Sequence, residues 1–270
     1  MAEVLGAELD LLTSAARTAG SLALDYQKKP AKVWLKAQNS PVSEADIAVN
    51  DLLSETLRGA RPDYGWLSEE SEDDGSRLRA DRTFIVDPID GTRSFIDGGT
   101  DWTIPIAIVE DGRPIAAVLI APRRDEFYDA ASGGGSRLNG RPIHVSHRRT
   151  LTGAALAVSR RFLRGDAGDG PVGARTVFYA SLAYRLARIA DGRLDGAAIK
   201  ADARDWDLAA ADLLVHEAGG LLADLDGNVP RYDRADTSHP PLIAGPPALA
   251  GALAQLARSM AGTVAAPGPD

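Results

Sequence analysis

The sequence predicts an α+β protein, because it opens with helical periodicity, continues with short strands joined by turn signals, and ends with alternating strands and helices. The chain has 270 residues, of which 44% are hydrophobic and 25% are charged, so it can bury the core of one large domain or two intimate subdomains. We place a boundary near residues 146–152, between an N-terminal α+β subdomain (1–148) and a C-terminal α/β subdomain (149–262). Residues 263–270 are expected to form a disordered tail.

Two helices are predicted at the start of the chain. Residues 7–28 carry apolar side chains at helical spacing. Residues 36–43 are predicted to form a loop, because Asn, Ser and Pro interrupt that spacing. A second helix is expected to begin at Ser43, which would cap it, to carry Asp46 in its first turn, and to end near Gly59.

Strands dominate the middle of the chain, and mixed elements follow. The apolar or alternating runs that predict strands are residues 83–86, 102–109, 114–121 and 126–130. The acidic, glycine-containing residues 110–113 predict a hairpin turn, and the glycine-rich residues 132–140 predict another. Further along, strands are predicted at 154–158 and 175–178, and helices at 181–191, 205–219 and 247–260.

Composition narrows the classes of function. The formal net charge is −8, which argues against a partner that is a nucleic-acid polymer. The chain contains no cysteine, so disulfides, thiolate zinc sites and cysteine nucleophiles are excluded. We expect no signal peptide, because the N-terminus is acidic, and no membrane span, because no long apolar run occurs. A cytoplasmic location is therefore expected.

The segment that carries most chemical information follows the predicted strand at 83–86. Asp87 and Asp90 leave the end of that strand together, with a rigid proline between them, and Gly91 and Thr92 come next. Two carboxylates in this arrangement can hold hard divalent cations. The backbone amides of Gly91 and Thr92 can hold a phosphate group at the start of a helix.

Other oxygen donors along the chain complete a candidate site. Phosphate ester hydrolysis needs neutralised charge, an activated water and an oriented leaving group, which two metal ions about 4 Å apart can supply. Mg²⁺ prefers carboxylates and carbonyls to nitrogen or sulfur ligands. From the start of the second helix, Asp46 could order the network around the attacking water. The candidate ligands are Glu69, Asp87, the carbonyl of Ile89, Asp90 and Asp207.

Each of these residues also has an ordinary structural interpretation. Alone, Glu69 would be a solvated acidic turn, Asp87 a strand-ending residue, and Asp207 a carboxylate that complements a helix dipole. The joint pattern favours a metal-dependent phosphatase. Haloacid-dehalogenase-type enzymes place two aspartates two residues apart on one strand, whereas Asp87 and Asp90 are three apart. The four histidines lie in no arginine-rich motif, so a histidine nucleophile is not indicated.

These segments resemble the successive signatures of the inositol monophosphatase superfamily. Residues 67–71 (LSEES), 87–92 (DPIDGT), 206–210 (WDLAA) and 217–220 (EAGG) occur in the order of that family. The resemblance covers roughly residues 5–258 and implies a layered αβαβα sandwich. It also implies frequent homodimers and inhibition by lithium.

Roles carried over from the family attach to single positions of this chain. Thr92 and Glu69 would activate the attacking water, and Asp46 would support Thr92. Two or three Mg²⁺ ions would be bound by Glu69, Asp87, Ile89, Asp90 and Asp207.

Two departures bear on the substrate. Inositol monophosphatases usually carry an acidic residue at the position of Ser40, whereas residues 40–46 (SPVSEAD) are similar to CysQ-type 3'(2'),5'-bisphosphate nucleotidases and to histidinol phosphatases of the same superfamily. Lys200 stands where inositol phosphatases have a glutamate that grips inositol hydroxyls. A lysine cannot accept those hydrogen bonds but can pair with a second phosphate. Against this subtype, nucleotidases often carry a lysine at the position of Ala183.

We therefore predict a Mg²⁺-dependent phosphomonoesterase that hydrolyses 3'-phosphoadenosine 5'-phosphate to AMP, with Ser181, Lys200 and Arg204 as substrate-binding residues. Inositol-1-phosphate and histidinol phosphate are the alternative substrates, and a sugar bisphosphatase with the same metals is a further alternative. A regulatory or binding protein that keeps the fold without catalysis is the alternative from another class. The predicted partners are a small phosphorylated metabolite and a second copy of the chain, with no nucleic-acid polymer and no membrane.

Overall fold

The computed structural model describes residues 2–29, 32–35, 41–158 and 173–262. Within these residues there are six α-helices, namely α1 (Ala2–Gln27), α2 (Glu44–Ala60), α3 (Thr92–Ile96), α4 (Leu182–Ala190), α5 (Asp205–Glu217) and α6 (Ala250–Gly262). Short 3-10 turns connect other elements at Ser76–Arg79, Pro122–Arg124 and Pro247–Leu249.

Most strands belong to two larger sheets. A separate hairpin pairs β1 (Val33–Leu35) with β2 (Pro41–Ser43). The large sheet follows chain order, with β3 (Gly65–Ser68), β4 (Arg82–Val86), β5 (Ile104–Glu110), β6 (Arg113–Ala121), β7 (Glu126–Ala131), β8 (Gly135–Leu138) and β9 (Arg141–Pro142). Its first pair is parallel and its other pairs are antiparallel. The small sheet has the spatial order β11 (Arg175–Thr176), β10 (Ala155–Ala157), β12 (Gly196–Ile199), β14 (Leu242–Gly245) and β13 (Leu221–Asp224).

The large sheet separates two apolar cores, because successive side chains of a strand point to opposite faces. On β5, Ile106 and Ile108 belong to the core shared with α1 and α2, whereas Ala107 and Val109 belong to the core shared with α4 and α5. The small sheet packs on the far side of α4 and α5, and α6 covers its outer face. The predicted α+β sandwich with layers in the order αβαβα is confirmed.

Several element boundaries differ from the prediction. The first helix begins at Ala2 rather than at residue 7. The predicted loop at 36–43 ends in strand β2, because Pro41–Ser43 pairs with Val33–Leu35; residues 36–40, including Ser40, lie outside the described part of the chain. The glycine-rich turn at 132–140 contains strand β8.

Elements of the C-terminal half are close to their predicted positions. The strand predicted at 175–178 ends at Thr176, and the helix predicted at 247–260 begins with a 3-10 turn before α6. The boundary near 146–152 stays a prediction, since the core around α4 and α5 takes residues from both sheets. The predicted tail at 263–270 lies outside the described residues.

Leu214 tests the central helical layer, because its side chain is fully buried between the two sheets on α5. We expect Leu214→Ala to lower the free energy of unfolding by about 2–5 kcal/mol, through lost burial and the cavity left behind. The control is Leu78→Ala, which truncates a leucine that is 46% exposed. Urea unfolding measures both variants, and equal effects would contradict the layer assignment.

Candidate metal centre and active site

Three carboxylates form the tightest acidic group in the described residues. Asp87, Asp90 and Asp207 each place a carboxylate oxygen within 4.8 Å of the other two. Asp87 directly follows β4, Asp90 lies three residues on, and Asp207 lies in the first turn of α5. The group therefore joins the end of β4, the second strand of the large sheet, to the start of a helix from the neighbouring layer.

Backbone hydrogen bonds to β5 and to the residue directly before it fix the path of the Asp87–Asp90 segment. The Asp87 amide donates to the Pro105 carbonyl at 3.2 Å. Asp90 exchanges two backbone hydrogen bonds with Thr103, at 2.9 and 3.0 Å. The Ile89 amide donates to Asp87 Oδ1 at 2.9 Å, which orients that carboxylate.

Gly91 permits the sharp turn that follows Asp90. Its φ of 93° lies in the left-handed region. A β-carbon at this position would lie 2.8 Å from the Asp101 carbonyl oxygen and 3.1 Å from the Ser181 amide nitrogen. Only glycine fits, so the turn can close and α3 can begin at Thr92. The two predicted phosphate-binding residues thus lie together at the start of this short helix.

The starts of α2 and α5 each fix one carboxylate of the site, and the start of α4 fixes a third. On α2, Asp46 Oδ2 accepts from the Ser43 amide at 2.8 Å and the Ser43 hydroxyl at 2.6 Å. On α5, Asp207 Oδ2 accepts from the Arg204 amide at 2.7 Å. Helix N-termini carry partial positive charge, so they stabilise carboxylates at these positions.

Asp90 is held by the start of α4. Its Oδ2 accepts from the Ser181 hydroxyl at 2.6 Å and from the Ala183 amide at 2.7 Å. Ser181 is fully buried and caps α4, and its hydroxyl also lies 2.9 Å from the Thr103 hydroxyl. The structure therefore places Ser181 behind Asp90, as a residue that orients this carboxylate, rather than on a surface that a substrate can reach.

Thr92 joins the acidic group to Asp46. Its hydroxyl oxygen lies 3.2 Å from Asp46 Oδ1 and 3.0 Å from the Ile89 carbonyl oxygen. When this hydroxyl donates its proton to either acceptor, its lone pairs are directed elsewhere and can accept from a water molecule. The structure thus brings together Thr92 and Asp46, two of the residues expected to order the attacking water.

Glu69 borders the group from the end of β3. Its amide donates to the Val86 carbonyl at 3.4 Å, which places it beside the Asp87 segment. After burial, the negative charge of Glu69 is the second cause that raises the pKa of Asp87, and it also raises the pKa of Asp207. Glu69 is therefore electrostatically part of the site, although the tight cluster consists of Asp87, Asp90 and Asp207.

The carboxylates are costly to ionise together. Burial, followed by the charge of Asp90, raises the pKa of Asp207 from 3.8 to about 8. Burial and the charge of Glu69 raise the pKa of Asp87 well above its ordinary value. Burial likewise raises the pKa of Asp90, although the hydrogen bond from Ser181 acts in the opposite direction. A cation would remove this repulsion, and the all-oxygen donor set fits Mg²⁺.

The described lining of a cavity of about 480 Å³ includes Lys200, Arg185, Phe178 and Leu182. The cavity is linked to the acidic group through Leu182, whose amide donates to Asp90 Oδ1 at 3.3 Å. Arg185 donates to the Tyr179 carbonyl at 2.8 Å. Its positive charge lowers the pKa of Asp90, so the wall of the cavity and the acidic group interact electrostatically. The predicted residue Lys200 thus faces a space next to the site.

Arg204 does not line this cavity with Lys200. It lies at the N-cap of α5, and its guanidinium donates to the Thr237 hydroxyl at 3.3 Å. It contributes to the site through the backbone bond to Asp207 and through its positive charge, which lowers the pKa of Asp207. The sequence pattern did not reveal the positioning roles of Ser181 and Thr103, since neither residue carries a charge or belongs to the acidic motifs.

Comparisons with known proteins identify the family of this chain. The Inositol monophosphatase family model matches residues 7–261. An inositol-1-monophosphatase of Rhizobium meliloti (strain 1021) is 37% identical over 230 residues, which cover 81% of this chain and 86% of the relative. A protein of Xylella fastidiosa named Nus factor SuhB is 34% identical over 260 residues, which cover 92% of this chain and 93% of the relative.

Solved structures share the fold. The extragenic suppressor protein suhB from Bartonella henselae superposes with a TM-score of 0.81 at 29% identity, covering 93% of this chain and 98% of that one. A Thermotoga maritima IMPase gives a TM-score of 0.81 at 25% identity, covering 97% and 99%. None of the described helices has the length and apolar character that a membrane crossing requires. The chain belongs to the inositol monophosphatase family, whose members are phosphoric monoester hydrolases that generally depend on Mg²⁺.

Proposed function

We propose that this chain hydrolyses a small phosphate monoester whose leaving group carries a second anionic group, as 3'-phosphoadenosine 5'-phosphate does. The observation that carries the hydrolytic part is the group formed by Asp87, Asp90 and Asp207, with the Thr92–Asp46 contact beside it. Two or three Mg²⁺ ions would be held by that group together with Glu69 and the carbonyl of Ile89. Bound Mg²⁺ would neutralise the phosphate and polarise it toward attack.

The residues of the chain would then act on water and phosphate. Thr92, with its proton donated to Asp46, would accept a hydrogen bond from the attacking water, and Glu69 would orient that water from the other side. The amides of Gly91 and Thr92 would hold phosphate oxygens at the start of α3. Ser181 would keep Asp90 fixed while the bond to phosphorus forms and the ester bond breaks.

Charge in the cavity supports the choice of substrate. Lys200 and Arg185 line the same space, and the ring of Phe178, which is 63% exposed, lies at its edge with the Arg185 guanidinium 5.2 Å from the ring centroid. A second phosphate would pair with Lys200. Histidinol phosphate fits less well, because its ammonium group would meet a wall on which Lys200 and Arg185 outnumber the one carboxylate, Asp202.

Inositol-1-phosphate is the second candidate substrate, and the 37% identical relative named inositol-1-monophosphatase favours it. Relatives named Nus factor SuhB favour a second candidate of another class, in which this fold binds a macromolecular partner. That candidate stands against the prediction of no nucleic-acid partner. The homodimer and the cytoplasmic location remain proposals.

A phosphate-release panel tests the proposed function. We expect turnover of 3'-phosphoadenosine 5'-phosphate with Mg²⁺, no turnover after chelation, and recovery when Mg²⁺ is restored. Inositol-1-phosphate and histidinol phosphate complete the panel. Asp90→Asn is the matched variant, because it removes a ligand charge but keeps the shape of the side chain, and we expect it to lose activity. Full activity in chelator, or in Asp90→Asn, would show that the site is misassigned.

The raised pKa of Asp207 gives a prediction about stability. Between about pH 4 and about pH 8, the folded chain without metal keeps a proton at Asp207 that the unfolded chain has lost. Its free energy of unfolding should therefore fall as pH rises through this window and level off above it. Asp87 and Asp90 act in the same direction.

Thermal unfolding in chelator measures how the stability depends on pH, with Asp207→Asn as the control that should make the fall shallower. Saturating Mg²⁺ should also reduce the fall, since it stabilises the ionised carboxylates. A midpoint that rises steadily from pH 5 to pH 8 without metal would contradict the assignment.

Lys200 should determine substrate choice and leave the chemistry intact. We expect Lys200→Glu to raise KM for 3'-phosphoadenosine 5'-phosphate by about tenfold or more, with a smaller effect on inositol-1-phosphate. The control is Lys29→Glu, which makes the same charge change at an exposed lysine that does not line the cavity. If both variants leave both substrates unchanged, Lys200 is a surface lysine, and the preference for a second anionic group fails.

A further inference from the structure

A buried arginine connects the segment after Glu69 to the loop that precedes β14. Arg77 is 1% exposed and lies in the 3-10 turn that follows that segment. Its guanidinium contacts Asp233 at 2.5 Å, Asp73 at 2.9 Å and the Arg234 carbonyl at 2.9 Å. The N–H groups of its guanidinium therefore donate to acceptors on both of the segments that it connects.

Asp233 continues the connection to the start of α5. Its Oδ2 accepts from the Thr83 hydroxyl at 2.8 Å, and its amide donates to Asp205 Oδ2 at 2.8 Å. The φ of Asp233 is 57°, a left-handed conformation that costs energy for a residue with a side chain. Because hydrogen bonds hold the residue at both its side chain and its amide, the surrounding structure maintains this conformation.

Asp205 is the first residue of α5, and the second oxygen of its carboxylate contacts a histidine. His239 Nε2 lies 2.7 Å from Asp205 Oδ1, and both side chains are almost completely buried. The backbone of His239 is itself fixed, since its amide donates to the Ala203 carbonyl at 2.9 Å and its carbonyl accepts from the Asp202 amide at 3.0 Å. Both oxygens of Asp205 thus have partners, one from each end of the 233–239 loop.

We propose that Arg77, Asp233, Asp205 and His239, which we call the Asp205 tether, position Asp207 for metal binding. Asp205 and Asp207 share the first turn of α5, so the orientation of that turn determines where the Asp207 carboxylate lies. The tether fixes this turn, through Asp233 and Arg77, to the segment after Glu69. The inference rests on the proposed function, because it assigns Mg²⁺ to that group.

The tether should affect metal binding because a buried carboxylate that lacks hydrogen-bond donors is costly in free energy. If His239 is removed, Asp205 Oδ1 loses its partner within a buried helix start. The turn would then rearrange to bring Asp205 closer to water or to another donor, and Asp207 would move with it. Partners that orient a metal ligand typically change metal affinity or activity by about tenfold to a hundredfold when they are removed.

The test measures Mg²⁺ binding by calorimetry on the full chain without substrate, together with thermal unfolding. We expect His239→Leu to raise the Mg²⁺ dissociation constant by about tenfold or more. His239→Gln keeps a nitrogen donor near the position of Nε2 and should retain most of the affinity. Asp233→Asn weakens the Arg77 end without removing volume, and we expect it to raise the Mg²⁺ dissociation constant by a smaller factor. This variant carries the test if His239→Leu does not fold.

The matched control is Glu8→Gln, which weakens the ion pair of the buried Glu8 with the partly exposed Arg61, outside the tether. It should lower the unfolding temperature and leave the Mg²⁺ dissociation constant unchanged. The proposal is overturned if His239→Leu and Asp233→Asn bind Mg²⁺ as tightly as the parent chain while losing stability as Glu8→Gln does. It is also overturned if Glu8→Gln weakens binding equally.

Failure of the proposed function would look different. If the parent chain binds Mg²⁺ but releases no phosphate from any substrate of the panel, the hydrolytic assignment fails, and the tether is still judged by the dissociation constants. If the parent chain binds no Mg²⁺, both proposals fail together, and the cluster has another role.

Discussion

Repulsion among the buried carboxylates is the constraint on which the arrangement of this molecule depends. Asp87, Asp90 and Asp207 lie closer together than ionised groups in a protein interior tolerate without compensation. The compensation comes largely from backbone amides at the starts of helices, which cannot be removed by changing a side chain. The site is therefore stable enough to form in the folded chain, yet it retains an unbalanced negative charge that a cation would balance.

The layered fold explains how these helix starts reach one point. Strand β4 ends between two helical layers, so residues that follow it can meet both. Asp46 approaches from α2 on one face of the large sheet, and Asp207 approaches from α5 on the other. The start of α4, in the same layer as α5, adds the donors for Asp90. A single-layered sheet could not supply donors from both faces to one strand end.

Local signals in the sequence predict most helices and strands and the acidic motifs, and the family resemblance implies the layers. Neither indicates which residues support those motifs. Ser43 and Asp46 form a capping box that can be recognised from spacing alone, and the structure contains it. The sequence predicts Ser181 as a substrate-binding residue, whereas the folded chain directs its hydroxyl to Asp90. These two residues are 91 positions apart, and no periodic pattern relates them. Such contacts become visible only when the large sheet and the start of α4 are placed together.

The metal centre and the cavity are built from different kinds of structure, and this difference bears on how substrate choice can vary. The carboxylates are fixed by helix starts and the end of β4, whereas Phe178 and Lys200 lie on connections outside regular elements. Loop residues can change without disturbing the layers, so relatives can keep the centre and bind different molecules. Arg185 is the exception, since it lines the cavity and also lowers the pKa of Asp90. A substitution at Arg185 would therefore alter recognition and the acidic group together. It couples the two parts of the site through its side chain, and Leu182, which also lines the cavity, couples them through its amide, which donates to Asp90 Oδ1 at 3.3 Å.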